Sequence, residues 1–170
     1  PSTTANFSAT AYYFAKKLQG ILRVPIGLIH TSWGASSVES WMDKETLAGF
    51  KQVVIPDTIP STPPQQVPTI MYNSMLHPYI GFTIRGVIWY QGESNRNNAS
   101  DYHSLFSTMI QAWRKQWQQG DFPFYFVQIA PFKNGSNNFS NVIVRDSQRK
   151  LLKKVNNTGM VVISDVSDTI

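Results

Sequence analysis

The chain has no cysteine, so disulfides, thiol nucleophiles and thiolate metal sites are excluded and the redox compartment is left open. No apolar run is long enough to cross a bilayer, and no secretory leader is expected within this sequence. Phosphate-binding glycine motifs are missing: neither Gly-x-Gly-x-x-Gly nor Gly-x-x-x-x-Gly-Lys-Ser/Thr occurs, which disfavours nucleotide chemistry. A Gly-x-Ser-x-Gly nucleophile elbow is absent too; Gly92-Glu93-Ser94 comes nearest, but Asn95-Arg96 follows where the second glycine belongs. Histidine is scarce, and His30, His77 and His103 have no metal-ligand spacing, so no metal site is expected. Each reads more simply as structural filler than as a catalyst. Charged residues make up only 15% of the chain, and the +5 balance is scattered except for Arg149, Lys150, Lys153 and Lys154. That group reads as the wet face of a helix rather than a nucleic-acid footprint. Low charge with abundant Asn, Gln, Ser and Thr suits a secreted or periplasmic protein.

What the chain does have is a core. Of its 170 residues 42% are hydrophobic, one domain's worth. A helix is expected to start at Asn6-Phe7-Ser8, where a side-chain oxygen can cap it, with Ala11, Phe14, Ala15, Leu18 and Leu22 at helical spacing. Val24 to His30 reads as a buried strand. Asp43 caps a short helix running to about Phe50, and the proline-rich stretch 52–69 is a loop that walls or lids a site. A short helix covers Met71 to Tyr79. A second strand, Thr83 to Tyr90, runs into the polar turn Gln91-Gly92-Glu93-Ser94-Asn95. The stripe Tyr102, Leu105, Phe106, Met109, Ile110, Trp113 and Trp117 marks a core-facing helix. Strand Phe122 to Ile129, helix Asn141 to Val155 and strand Met160 to Ser164 complete the pattern.

Alternation of helix and strand predicts an α/β fold: a three-layer, doubly wound, mostly parallel sheet with helices on both faces. Chemistry in such folds sits past the carboxyl ends of the strands. The turns there hold Ser32, Gly34 and Ser36, then Gln91, Glu93, Ser94 and Asn95, then Gln128, then Asp165 and Asp168.

Particular runs sharpen this reading. Pro25-Ile26-Gly27-Leu28-Ile29, Thr31-Ser32-Trp33-Gly34 and Val38-Glu39-Ser40-Trp41-Met42 form one block. Met71-Tyr72-Asn73-Ser74-Met75 and Gly86-Val87-Ile88-Trp89-Tyr90-Gln91-Gly92-Glu93-Ser94-Asn95 form another. Trp113-Arg114, Asp121 to Gln128 and Asn157-Thr158-Gly159-Met160 continue it. From about Phe7 to the end the chain resembles the sialate O-acetylesterase family of SGNH hydrolases. The resemblance implies a serine esterase that removes acetyl groups from sialic acid or plant polysaccharide sugars, without metal or organic cofactor. It implies that the Gly34 backbone N–H and the Gln91 carboxamide stabilise the oxyanion, and that Asp168 is the acidic member of the triad. Trp33, Glu93 and Asn95 become substrate-binding candidates, with Glu93 holding either its loop or a substrate hydroxyl.

The family's Gly-Gln-Ser-Asn nucleophile motif is not found, and the histidine of its Asp-x-x-His-Pro segment would fall one residue past Ile170. The expectation is therefore a single domain, residues 1–170, that is an internal segment of an esterase lacking the first central strand. Alone it would fold poorly and be catalytically inactive, the remainder of the domain coming from the same gene or another chain. Its expected partner is an acetylated carbohydrate, with no nucleic acid and no membrane. A rival expectation is a carbohydrate-binding module without turnover, using Trp33, Trp41, Trp89 and Tyr90 as stacking surfaces. Anion or nucleic-acid binding through the basic helix is the third.

Overall fold

The computed structural model describes residues 7–58, 60–61, 63–132 and 139–166. The chain divides into two compact units, Pro1–Ser32 and Trp33–Ile170.

The first unit holds helix α1 (Ala9–Leu22). Ser8 caps it, its hydroxyl accepting from the Ala11 N–H at 3.2 Å, and Arg23 closes it in the left-handed conformation at φ 57°. The strand expected over Val24 to His30 does not form: the segment is irregular and mostly exposed. A strand exists only through ladder bonds to a neighbour, and this segment has no ladder partner among the described residues.

The second unit contains the sheet. Strands β1 (Val87–Trp89), β2 (Phe124–Val127) and β3 (Thr158–Val161) lie in the order β1-β2-β3, all parallel. Ile88 pairs with Tyr125, and Tyr125 with Gly159. The last strand starts two residues earlier than Met160, because the ladder carries Thr158 and Gly159 opposite Phe124 and Tyr125. Gly159 is required there: a Cβ would meet the Tyr125 ring at 2.8 Å.

Before the sheet, Asp43 caps the short helix α2 (Lys44–Leu47), accepting from the Thr46 N–H at 2.7 Å. Met71 to Tyr79 resolves into one π turn, Tyr72–Leu76, followed by a 3-10 turn, His77–Tyr79.

Helices α3 (Tyr102–Trp117) and α4 (Ser140–Lys154) make the two crossovers. The expected stripe of α3 is buried in full, from Tyr102 to Trp117. Phe106 packs edge-on against Phe124 and Phe126, and Trp113 lies 5.6 Å from the Trp89 ring. Aromatic pairs at such separations each add roughly 0.5–1.5 kcal/mol beyond area burial. Arg114, almost fully buried, donates to the carbonyls of Phe122 and Asn157 and so fastens the end of α3 to the entrances of β2 and β3. On the opposite side of the sheet Ile88 and Tyr125 stay exposed.

Candidate active site

Two polar turns of the second unit meet beyond the carboxyl end of β1. One is Gly34 to Ser37; the other begins at Gln91. Gln91 is buried, and its Nε2 donates to the Ser36 carbonyl at 2.9 Å and to Asn95 Oδ1 at 2.7 Å. Its Oε1 accepts from the Tyr102 hydroxyl at 3.2 Å. The carboxamide orientation is fixed by chemistry, because a backbone carbonyl can only accept. Burial raises the Tyr102 hydroxyl far above its ordinary range, so it stays protonated and able to donate.

The turn of Gly34 is held at several points. Trp41 Nε1 donates to Ser36 Oγ at 2.9 Å, and the Val38 N–H reaches Asn95 Oδ1 at 2.9 Å. Ala35 sits at φ 57°, the left-handed region, which costs a non-glycine residue roughly 1–2 kcal/mol. Gly34 itself faces open space: an added Cβ would meet nothing within 4 Å. No hydrogen bond within the described residues involves its N–H.

Gly92 explains why this turn can follow β1. Its φ is 150°, and a Cβ would meet Ile129 Cγ2 at 2.8 Å and Val144 Cγ1 at 3.2 Å. Gln148 of α4 reinforces the join, donating to the Gln91 carbonyl at 3.2 Å and accepting from the Ile129 N–H at 3.0 Å.

The expected site residues therefore separate. Gly34 and Gln91 come to one place, joined through Ser36. In this geometry both hydrogens of Gln91 Nε2 are occupied, so the carboxamide braces the Gly34 turn rather than presenting a free donor. Asn95, expected to bind substrate, is 1% exposed and saturated: Oδ1 takes two hydrogen bonds, and Nδ2 gives two, to Glu39 and Asn98. It is a hub between loops, because no polar atom is left over for a ligand. Glu93 is exposed, its backbone carbonyl accepting from Arg96 Nε at 2.9 Å, and Trp33 is half exposed. Asp168 lies outside the described residues. The stacking surface is corrected as well. Trp41 is buried and Trp89 belongs to the aromatic interior, the two rings 5.9 Å apart, which leaves Trp33 and Tyr90 exposed.

Sequence reasoning passed over Glu39. It is nearly buried, and its carboxylate accepts from Asn95 Nδ2 at 2.8 Å and from Asn98 Nδ2. With Ser37, Gln66, Ser94, Asn95 and Asn98 it lines a cavity of about 430 Å³. Gln52, Val53, Val54 and Pro68 also line it, so the proline-rich loop is a wall of this hollow. The only advance signal was an acidic residue among the apolar Val38, Trp41 and Met42 of the run Val38-Glu39-Ser40-Trp41-Met42. A second hollow of about 490 Å³, between α3 and α4, is lined by His103, Asp146 and Lys150 and lacks any of these turn residues. In the first unit, His30 Nε2 lies 2.6 Å from Ser32 Oγ, but both are exposed and His30 meets Phe7 edge-on at 5.2 Å. No group of three or more His, Asp or Glu able to hold a metal occurs among the described residues.

The chain is similar to known proteins over most of its length. The family described as carbohydrate esterase, sialic acid-specific acetylesterase matches residues 3–169. Human sialate O-acetylesterase is 36% identical over 134 residues, covering 72% of this chain and 25% of its own. The mouse enzyme is 32% identical over 166 residues, covering 76% and 31%. The crystal structure of a carbohydrate acetylesterase from Xanthomonas citri superposes with a TM-score of 0.86 at 36% identity, covering 99% of this chain and 37% of that one. The chain thus spans about a quarter to a third of the curated relatives it matches. On this match, nearly end to end, the chain belongs to the sialic acid-specific acetylesterase family of carbohydrate esterases.

Proposed function

We propose that this chain supplies the oxyanion-binding side of an active site that removes acetyl groups from O-acetylated sugars. A serine Oγ contributed from outside the chain attacks the acetyl carbonyl, and an imidazole takes its proton. The ester C–O bond then breaks, the sugar oxygen leaves with that proton, and water hydrolyses the acetyl-serine. Asp168 is assigned to orient the imidazole.

The observation that carries the reading is the Gly34 turn. The Gly34 N–H has no partner among the described residues, a Cβ at this residue would meet nothing within 4 Å, and two residues on stands a carbonyl held by Gln91. As negative charge develops on the substrate oxygen, the Gly34 N–H donates to it. One Gln91 hydrogen transfers from the neutral Ser36 carbonyl to the oxyanion, since a charged acceptor makes the stronger hydrogen bond. Without its serine and imidazole the segment alone is expected to be inactive. Family membership and the sugar-acetyl chemistry in the names of its relatives support the substrate class.

The test is Gln91→Ala in the full gene product with 4-nitrophenyl acetate. Loss of one oxyanion donor lowers kcat by on the order of 10²–10³. A wild-type kcat would remove Gln91 from the reaction.

A further inference from the structure

Buried carboxylates are costly, and they persist where a cation or a dense set of donors compensates them. Glu39 has no cation at hydrogen-bonding distance among the described residues. Its charge is met by two carboxamides, Asn95 and Asn98. A neutral glutamine would fill the same space without the desolvation penalty, so packing alone does not account for a carboxylate.

What the charge does follows from direction. A carboxylate only accepts, so it draws the Nδ2 group of Asn95 toward itself and turns Oδ1 to the other side. There Oδ1 meets the Val38 N–H and Gln91 Nε2. Hydrogen bonds in series polarise one another: a charged acceptor at Nδ2 makes Oδ1 the richer acceptor. Asn95 Oδ1 takes Gln91 Nε2 at 2.7 Å and the Val38 N–H at 2.9 Å, while the second Gln91 hydrogen goes to the Ser36 carbonyl at 2.9 Å.

We propose that Glu39 is a positioning residue of the esterase: through Asn95 it pins one Gln91 hydrogen, so that the other alone exchanges between the Ser36 carbonyl and the oxyanion. The proposal rests on the acetylesterase reading above. No covalent step passes through Glu39 or Asn95. Glu39 acts on orientation and its effect belongs in kcat, because the Ser36 bond is exchanged only as charge develops.

Reversing the polarity of the pair tests this. Asn95→Asp keeps an acceptor for Val38 and Gln91 but sets a second carboxylate against Glu39. Two carboxylates in contact repel, which raises the pKa of one of them, so the pair takes up a shared proton as pH is lowered. In the full gene product with 4-nitrophenyl acetate, the N95D kcat falls at least tenfold below wild type at neutral pH, with KM little changed. The ratio of N95D to wild-type kcat then rises as pH is lowered. In the double variant E39Q/N95D the glutamine amide donates to the carboxylate now at position 95, and kcat returns to within a few-fold of wild type at neutral pH. A ratio flat across pH, or a double variant no better than N95D, overturns the proposal. If N95D does not fold, as read by its thermal transition, the double variant decides alone: folded and active supports the pairing, folded and inactive sinks it.

The side-chain amide resonances of Gln91, assigned by their loss in Gln91→Ala, separate the two readings. If the wild type hydrolyses no acetyl ester, the esterase reading has failed. The positioning claim is then judged on those resonances, which shift in N95D and return in E39Q/N95D; resonances that stay put overturn it.

Discussion

The second unit holds two regions built on opposite principles. Behind the sheet, Phe106, Trp113, Phe124 and Phe126 interlock as rings, and any well-shaped apolar neighbour would serve. Beyond the end of β1, Glu39, Asn95, Gln91 and Tyr102 interlock as donors and acceptors, each group having one allowed direction. The first region makes the fold stable. The second makes a small number of atoms point one way, and its members cannot be exchanged for isosteres without reversing a hydrogen bond. The difference teaches where sensitivity to mutation should divide: stability changes on one side, turnover on the other.

That division can be broken in three places. The largest effect on stability is expected from Phe106→Ala in the aromatic region. Phe106 is fully buried, and its truncation should lower the unfolding free energy by about 3–5 kcal/mol in denaturant titration. If the folded fraction of this variant kept its KM and kcat, the two regions would be separable. A comparable loss of kcat per folded molecule would show that the rings also shape the site.

Gly92→Ala sits on the seam and should damage both. Its Cβ would crowd Ile129 and Val144, and its φ of 150° is strained for alanine. Overpacking and backbone strain together predict about 2–4 kcal/mol of destabilisation. Turnover should fall too, since Gln91 is the preceding residue. An unaltered unfolding midpoint would refute the close approach of α4 to this turn.

The smallest effect belongs to Asp43, which is a member of neither region. Burial would raise its carboxyl pKa, but hydrogen bonds from Thr46 and Gln116 outweigh this and hold it below the ordinary 3.8. A depressed folded pKa means stability that is present above the unfolded value and lost as pH falls through the folded one. Wild type should therefore exceed Asp43→Asn at neutral pH by roughly 1 kcal/mol, with the gap closing below about pH 4. A gap that widens in acid would reverse the assignment.

Much of this was readable beforehand, for identifiable reasons. The α3 stripe is a period that only a helix satisfies, and every expected member is buried. The Asp43 cap and the Ser8 cap are local chemistry between residues three apart, so the sequence contains both partners. The segment Val24 to His30 fails for the converse reason. Its apolar run permits a strand, but a ladder requires a second strand, and none pairs with it among the described residues. The buried hydrogen bonds of Asn95 are not legible in the sequence because its partners Val38 and Glu39 stand 57 and 56 residues away.

Sequence by itself determined the order of elements from β1 onward, the core face of α3, the caps, and the two polar turns that follow apolar runs, because those depend on period and on near neighbours. Only the tertiary structure decided that Gln91 reaches the turn of Gly34, that Glu39 rather than a surface cation meets Asn95, and that Gly92 is needed where α4 passes. Those are distances between residues far apart in the chain, and no local pattern encodes which way a buried amide must face.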